Sequence, residues 1–291
     1  MTRMDLSLLY RGPLSSCNYG CEYCPFAKHE ETYAELETDR VALRRFVDWA
    51  ERQTDLNLGV LFTPWGEALI RHWYQQALAE LTHLPHLRRA AIQTNLSCAL
   101  DWVQRCDLNR LALWCTYHPS EVPRVDFIAR CAELRQRGVR FSVGIVGLKE
   151  NLAEARALRE ELPRDVYVWV NAFKRQENYY SADEFAQYEA IDPHFALNTR
   201  YHPSLGKSCR AGASAISVDG DGTIRRCHFI ANPIGNIYDE NWRSSFSERP
   251  CSNATCGCHI GYVHLDDLKL YELFGDGVLE RIPHHVSTTG L

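Results

Sequence analysis

Cys17-Asn18-Tyr19-Gly20-Cys21-Glu22-Tyr23-Cys24 sets three thiols within eight residues, in the loop that follows the largely apolar run Leu6 to Tyr10. Side chains so spaced can all turn inward on one small object. A 4Fe-4S cluster takes one thiolate on each of its four irons, so three ligands leave one iron open to a molecule that is not protein. A tetrahedral zinc site is the other reading. It needs a fourth Cys or His, for which His29 is the local candidate.

Around this loop, apolar β-type runs alternate with helical patterns, the sequence form of a parallel sheet with crossover helices. Strands are expected at Leu6–Tyr10, Leu56–Phe62, Arg89–Gln93, Leu111–Thr116, Arg140–Val146 and Val166–Val170. Helices are expected at Asp39–Arg52, with Val41, Leu43, Phe46, Val47 and Ala50 on one face, and near Leu69–Leu81, Val125–Gln136 and Leu152–Leu162. The cysteine loop leaves the C-terminal end of the first strand. The chain of 291 residues, 45% of them hydrophobic, can fill one large core or two modest ones.

A net charge of −5 and a pI near 6.2 give no electrostatic case for nucleic acid or an anionic membrane. No apolar run approaches the ~20 residues of a membrane span, and MTRMDLSLLYRGP lacks the apolar core of a signal peptide. A cytoplasmic location is expected, where twelve cysteines point to metal rather than to disulfides.

The spacing C-x3-C-x2-C, with the aromatic Tyr23 just before the third cysteine, resembles the signature of the radical S-adenosylmethionine (radical SAM) enzymes. The resemblance implies that Cys17, Cys21 and Cys24 hold a 4Fe-4S cluster whose fourth iron is chelated by the amino and carboxylate groups of S-adenosylmethionine (AdoMet). One electron from the cluster then splits AdoMet into methionine and a 5'-deoxyadenosyl radical, which takes a hydrogen atom from the substrate. It also implies an α/β fold, a partial (β/α)6 TIM barrel, with reacting groups at the C-terminal ends of the strands.

Strand two runs into Pro64-Trp65-Gly66-Glu67, where the family has a Gly-Gly-Glu turn that holds the amino group of AdoMet. Trp65 replaces the first glycine, and Glu67 keeps the acid, which suits an ammonium at close range. Strand five continues Gly144-Ile145-Val146-Gly147-Leu148-Lys149-Glu150, similar to the family's G-x-I-x-G-x-x-E segment at the adenine edge. Here Val143 stands at the leading glycine, and Val146 and Gly147 are the adenine-side candidates. Thr94 and Asn95 after strand three, and Asn171 after strand six, look like the polar strand ends that meet ribose and the methionine carboxylate.

From about Tyr201 the pattern changes. Cys209-Arg210-Ala211-Gly212 leads through Ser214–Val218 and Asp219-Gly220-Asp221-Gly222 to Thr223–Cys227, a hairpin with a cysteine at either end, and Cys251, Cys256 and Cys258 follow. This resembles the SPASM and twitch extensions of radical SAM enzymes. The reading is therefore a barrel over residues 1–200 and a small cysteine-rich β-hairpin, loop and helix domain over 201–291. Five cysteines serve one auxiliary 4Fe-4S cluster, the twitch arrangement, with Cys209 and Cys227 joined by two of Cys251, Cys256 and Cys258. A zinc knuckle is the rival. The apolar patterns at Leu265–Phe274 and Val278–Ile282 are expected to pack back on the barrel.

Substrate-side candidates at the barrel mouth are Cys98, Cys115, Tyr117 and His118, of which Cys115 and His118 are the catalytic choices. A cysteine there can return a hydrogen atom, and a His can take a proton as an electron leaves. The residues before strand one are too few for the winged-helix module with which many peptide-modifying relatives hold a leader peptide. A small-molecule substrate is thus the first expectation, and a peptide the second. A flavodoxin, ferredoxin or reductase would supply the electron. The reading from another class, a metal-binding or electron-transfer iron-sulfur protein without AdoMet chemistry, needs neither Glu67 nor Gly147 where they stand.

Overall fold

The computed structural model describes residues 3–26 and 29–287. Six parallel strands, β1 (Met4–Arg11), β2 (Leu56–Phe62), β3 (Leu87–Thr94), β4 (Leu111–Tyr117), β5 (Arg140–Gly147) and β6 (Val168–Ala172), lie side by side in chain order. They are connected through α1 (Tyr33–Arg52), α2 (His72–Thr82), α3 (Arg124–Gln136) and α4 (Leu152–Glu161), and α5 (Ala182–Ile191) follows β6. Between β3 and β4 the crossover shrinks to a 3-10 turn at Asp101–Arg105. This is the expected partial barrel. Among the described residues no helix is long and apolar enough to cross a membrane.

Helix α1 begins six residues before the expected Asp39, because a capping box replaces apolar periodicity as its start signal. Thr32 Oγ1 accepts from Glu35 N at 3.3 Å, and Glu35 Oε2 accepts from Thr32 N at 2.7 Å. Leu43, Phe46, Val47 and Ala50 are buried as read, whereas Val41 is 53% exposed and belongs to the solvent side.

Strand side chains alternate between two apolar layers. Leu6, Leu8 and Tyr10 of β1 join the layer under the helices. Leu9, with Leu61, Ala91, Ala112, Trp114 and Trp169, forms the inner face. That face is filled by the end of the chain: Ile260, Tyr262, Leu265, Leu270, Phe274, Val278 and Leu279 pack on it. Burying each such large side chain contributes about 1.5–3 kcal/mol. Trp169 crosses the face at β5 so closely that a Cβ on Gly144 would fall 2.0 Å from its ring. Gly144 is thus explained by packing.

The tail opens with β7 (His202–Pro203), and the expected hairpin follows as β8 (Ala215–Asp219) and β9 (Thr223–Arg225). Gly222 at its turn has φ +89°, a conformation suited to glycine. Strand β8 pairs parallel to β1, from Ser7↔Ala215 to Arg11↔Asp219, and β10 (Pro233–Asn236) extends the sheet to nine strands. Strand β11 (Thr255–Cys256) returns to β7. At the opposite end of the inner face, the fully buried Glu280 carboxylate accepts from Arg140 Nε at 2.6 Å and lies 3.4 Å from Arg89 Nε. Ser142 Oγ donates to Glu280 O at 2.7 Å.

Candidate functional site

Cys17, Cys21 and Cys24 open onto one cavity of about 140 Å³, walled by Trp65, Gly66 and Glu67 after β2 and by Thr94, Asn95, Thr116 and His118 at the ends of β3 and β4. The loop carrying them is held by polar contacts on both flanks. Glu31 accepts from Ser15 N at 3.0 Å and Ser16 N at 3.1 Å, and Glu121 accepts from Gly20 N at 3.0 Å. Asn95 Nδ2 donates to Asn18 Oδ1 at 3.1 Å. His29, the rival fourth ligand, lies with Nε2 3.0 Å from Ser15 Oγ and is not among the cavity walls. Among the described residues, no three His, Cys, Asp or Glu side chains are grouped to share a single ion. A cluster spreads its thiolates more widely, since each meets its own iron.

Gly66 shows how the loop is seated. A Cβ there would fall 1.8 Å from Ser16 O, and Glu67 N donates to that same oxygen at 3.1 Å. The turn and the cysteine loop therefore touch backbone to backbone. Gly66→Ala must push them apart, costing about 1–3 kcal/mol and loosening the triad. The expected outcome is less bound iron and sulfide after anaerobic reconstitution. Gly20→Ala, which meets nothing within 4 Å, is the silent control.

Glu67 is nearly fully buried, with Oε1 accepting from Leu69 N at 3.0 Å and Thr94 Oγ1 at 2.8 Å, and Oε2 accepting from Asn95 N at 2.5 Å. One carboxylate thus ties the ends of β2 and β3 together. Burial pushes its carboxyl up to about 7, against the pull of these donors. Of its four acceptor sites, three are used, so one remains for a donor in the cavity.

His118 and Tyr23 meet at the cavity wall. Tyr23 Oη lies 2.6 Å and Cys21 Sγ 3.3 Å from His118 Nδ1, and burial holds His118 down to about 4. The other mouth candidates are corrected. Cys115 is fully buried, and Tyr117 and Cys98 are buried with it in the layer under the helices. The period of two decides this, since Thr116 and His118 face the cavity while Cys115 and Tyr117 face away.

On β5, the backbone oxygen of Val146 accepts from Asn151 Nδ2 at 3.1 Å, and that of Gly147 from Tyr180 Oη at 2.5 Å. A Cβ on Gly147 would sit 2.8 Å from Val170 and 2.9 Å from Tyr180 Oη, so the glycine is required by this packing. Asn171 lies within β6 rather than beyond it, and is exposed.

In the tail, on top of burial, Cys251 raises the thiol pKa of Cys209, Cys209 and Cys251 raise that of Cys227, and all three, with Cys258, raise that of Cys256, so the five thiols stand near one another. A Cβ on Gly261 would fall 2.8 Å from Cys256 Sγ. Cys258 is the exposed member of the five, and the charges around it are Lys174, Arg281 and Arg11. The sequence reading passed over Arg11, Gln93 and Thr116. Counting alternate residues outward from inner-face positions such as Leu9, Ala91 and Trp114 reaches all three.

The fold is a partial TIM barrel that solved structures with bound AdoMet share. Native anSMEcpe with bound AdoMet matches it with a TM-score of 0.54 and 16% identity, over 83% of each chain. Native anSMEcpe with bound AdoMet and Kp18Cys peptide matches with a TM-score of 0.55 and 14% identity, over 84% of this chain and 81% of that one. No protein-family model and no curated protein sequence matches the chain.

Proposed function

We propose that this chain is a radical SAM enzyme carrying a second, auxiliary 4Fe-4S cluster. The observation that supports it best is the shared cavity, in which three cysteines of one loop face the Glu67 carboxylate and the polar ends of β3. When bound, the cluster supplies the electron that cleaves AdoMet reductively, for hydrogen-atom removal from a substrate. Cys17, Cys21 and Cys24 are its ligands, and Glu67 accepts from the AdoMet ammonium. Thr94 and Asn95 hold Glu67 in place, and Asn171 is the proposed contact for the sugar.

The auxiliary cluster is assigned to Cys209, Cys227, Cys251 and Cys256, supported by the proximity of the tail thiols and by the exposure of Cys258, which is left as a free thiol. Four separate thiolates also satisfy zinc, so metal analysis decides. Anaerobic reconstitution should give about eight irons and eight sulfides per chain, and 5'-deoxyadenosine should appear with AdoMet and dithionite. Zinc without sulfide in the tail would defeat the auxiliary assignment. The substrate is read as a small molecule; a peptide is the second reading, because one fold neighbour holds a peptide beside AdoMet. A flavodoxin, ferredoxin or reductase is the proposed electron donor.

Glu67 sets a pH dependence. Its folded carboxyl titrates at about 7, above the ordinary value of 4.5, so the folded chain keeps a proton that the unfolded chain has released. Its contribution to stability is therefore complete below 4.5 and lost as pH rises toward 7. An ammonium favours the ionised form, so AdoMet affinity runs the other way. It should weaken by up to about tenfold per unit below that pKa and level off above it. Calorimetric titration across pH checks this, and Glu67→Gln should flatten the profile while weakening binding.

A further inference from the structure

A second cavity, of about 790 Å³, lies at the end of β1 and shares Trp65 with the cysteine cavity. Arg11, the last residue of β1, reaches into it. Its position is fixed from two sides: Nε donates to Thr63 O at 2.9 Å, and the guanidinium carbon stands 3.9 Å over the Trp65 ring. The register of the sheet sets Asp219 of β8 opposite Arg11. That carboxylate is already taken, with Oδ2 2.8 Å from Arg225 Nε. Arg11 has no ion pair of its own among the described residues.

The remaining polar walls do not neutralise it. His228 Nε2 lies 3.0 Å from Thr63 Oγ1 and is engaged there rather than with Arg11. Asp221 belongs to the exposed hairpin turn, where its Oδ1 accepts from Thr223 N at 2.9 Å. Burial pulls the Arg11 pKa down to about 10, outweighing the opposite pull of Cys258 and Asp219. A half-buried guanidinium, oriented but unpaired, presents its terminal N–H groups as a planar fork that matches a carboxylate or a phosphate.

We infer that the cavity at the end of β1 binds the substrate through an anionic group, a carboxylate or phosphate, held by the Arg11 guanidinium beside Trp65. This deepens the radical SAM reading, on which the word substrate rests. The anion docks on Arg11, and the rest of the molecule extends past Trp65 toward the cysteine cavity. Its class is thus a metabolite with one oxyanion group, and the Asp219–Arg225 pair keeps the nearest acid from competing.

Two substitutions with opposite expected effects test the inference. Equilibrium dialysis of the anaerobically reconstituted full chain against radiolabelled inorganic phosphate, and separately against acetate, measures binding directly. Arg11→Gln should weaken it by about tenfold or more. Asp219→Asn removes a negative charge from the cavity wall and frees the Arg225 guanidinium, and should tighten it. Phosphate following this pattern identifies a phosphorylated substrate, and acetate a carboxylate. Binding of neither probe to the wild type, or equal binding by wild type and Arg11→Gln, overturns the inference, and so does an Asp219→Asn variant that binds no more tightly than wild type. Release of 5'-deoxyadenosine by the same wild-type preparation separates the two levels. Cleavage without Arg11-dependent binding leaves the radical reading standing alone, and binding without cleavage leaves the anion site without it.

Discussion

Cys17→Ala is expected to bring 5'-deoxyadenosine release from AdoMet and dithionite down by more than about 100-fold, since partners that merely support a metal ligand are already worth 10–100-fold. Cys17 lines the cavity opposite Glu67 and is held by the loop that Glu31 and Asn95 fix, so no neighbouring thiol can take its place. The effect should be specific to this loop. Cys227→Ala, in the tail, should leave uncoupled AdoMet cleavage largely intact while impairing turnover of substrate. Iron analysis on both variants tells loss of one cluster from loss of both. Matching deoxyadenosine yields from Cys17→Ala and wild type would sink the assignment of the site.

Glu280→Ala should be the most destabilising of the non-cysteine changes, at about 3–5 kcal/mol, because it removes the buried partner of two half-buried cations. Arg89 and Arg140 sit at the starts of β3 and β5, and the Glu280 carboxylate is the acid between them. With about 2–4 °C per kcal/mol for a chain of this size, the melting midpoint should fall by roughly 10 °C. Calorimetry of wild type, Glu280→Ala, Arg140→Ala and the double variant measures the coupling. If the two single changes are additive, the pair is not what holds the end of the chain in the barrel.

The six strands were legible because each is a short apolar run ending in turn or polar residues, and consecutive strands tend to lie side by side, as these do. The start of α1 was not, since its first turn is polar and capped by Thr32 and Glu35 rather than marked by apolar spacing. Within the site, the cysteine loop, Glu67 and His118 could be placed from motif and strand ends. Cys115 was misplaced by one residue, which in a strand is the whole difference between the cavity and the core. Arg11 escaped notice because an arginine ending a strand is unremarkable until the acid opposite is seen to be engaged by Arg225. The grouping of Cys251 and Cys256 with Cys209 and Cys227 depends on how β11 returns to β7, which spacing does not encode.

Filling the inner face with the last segment of the chain has a consequence for biosynthesis. Ser142 and Glu280 are joined across 138 positions, so all six strands leave the ribosome before the residues that complete their interior. Contacts of such long range slow folding, and the nascent half-barrel must wait with Trp114 and Trp169 uncovered, a species prone to aggregate. The Cys17–Cys24 loop, by contrast, is translated well before the tail. Its three thiols stay exposed throughout that delay, whereas the tail thiols gather only when the interior closes.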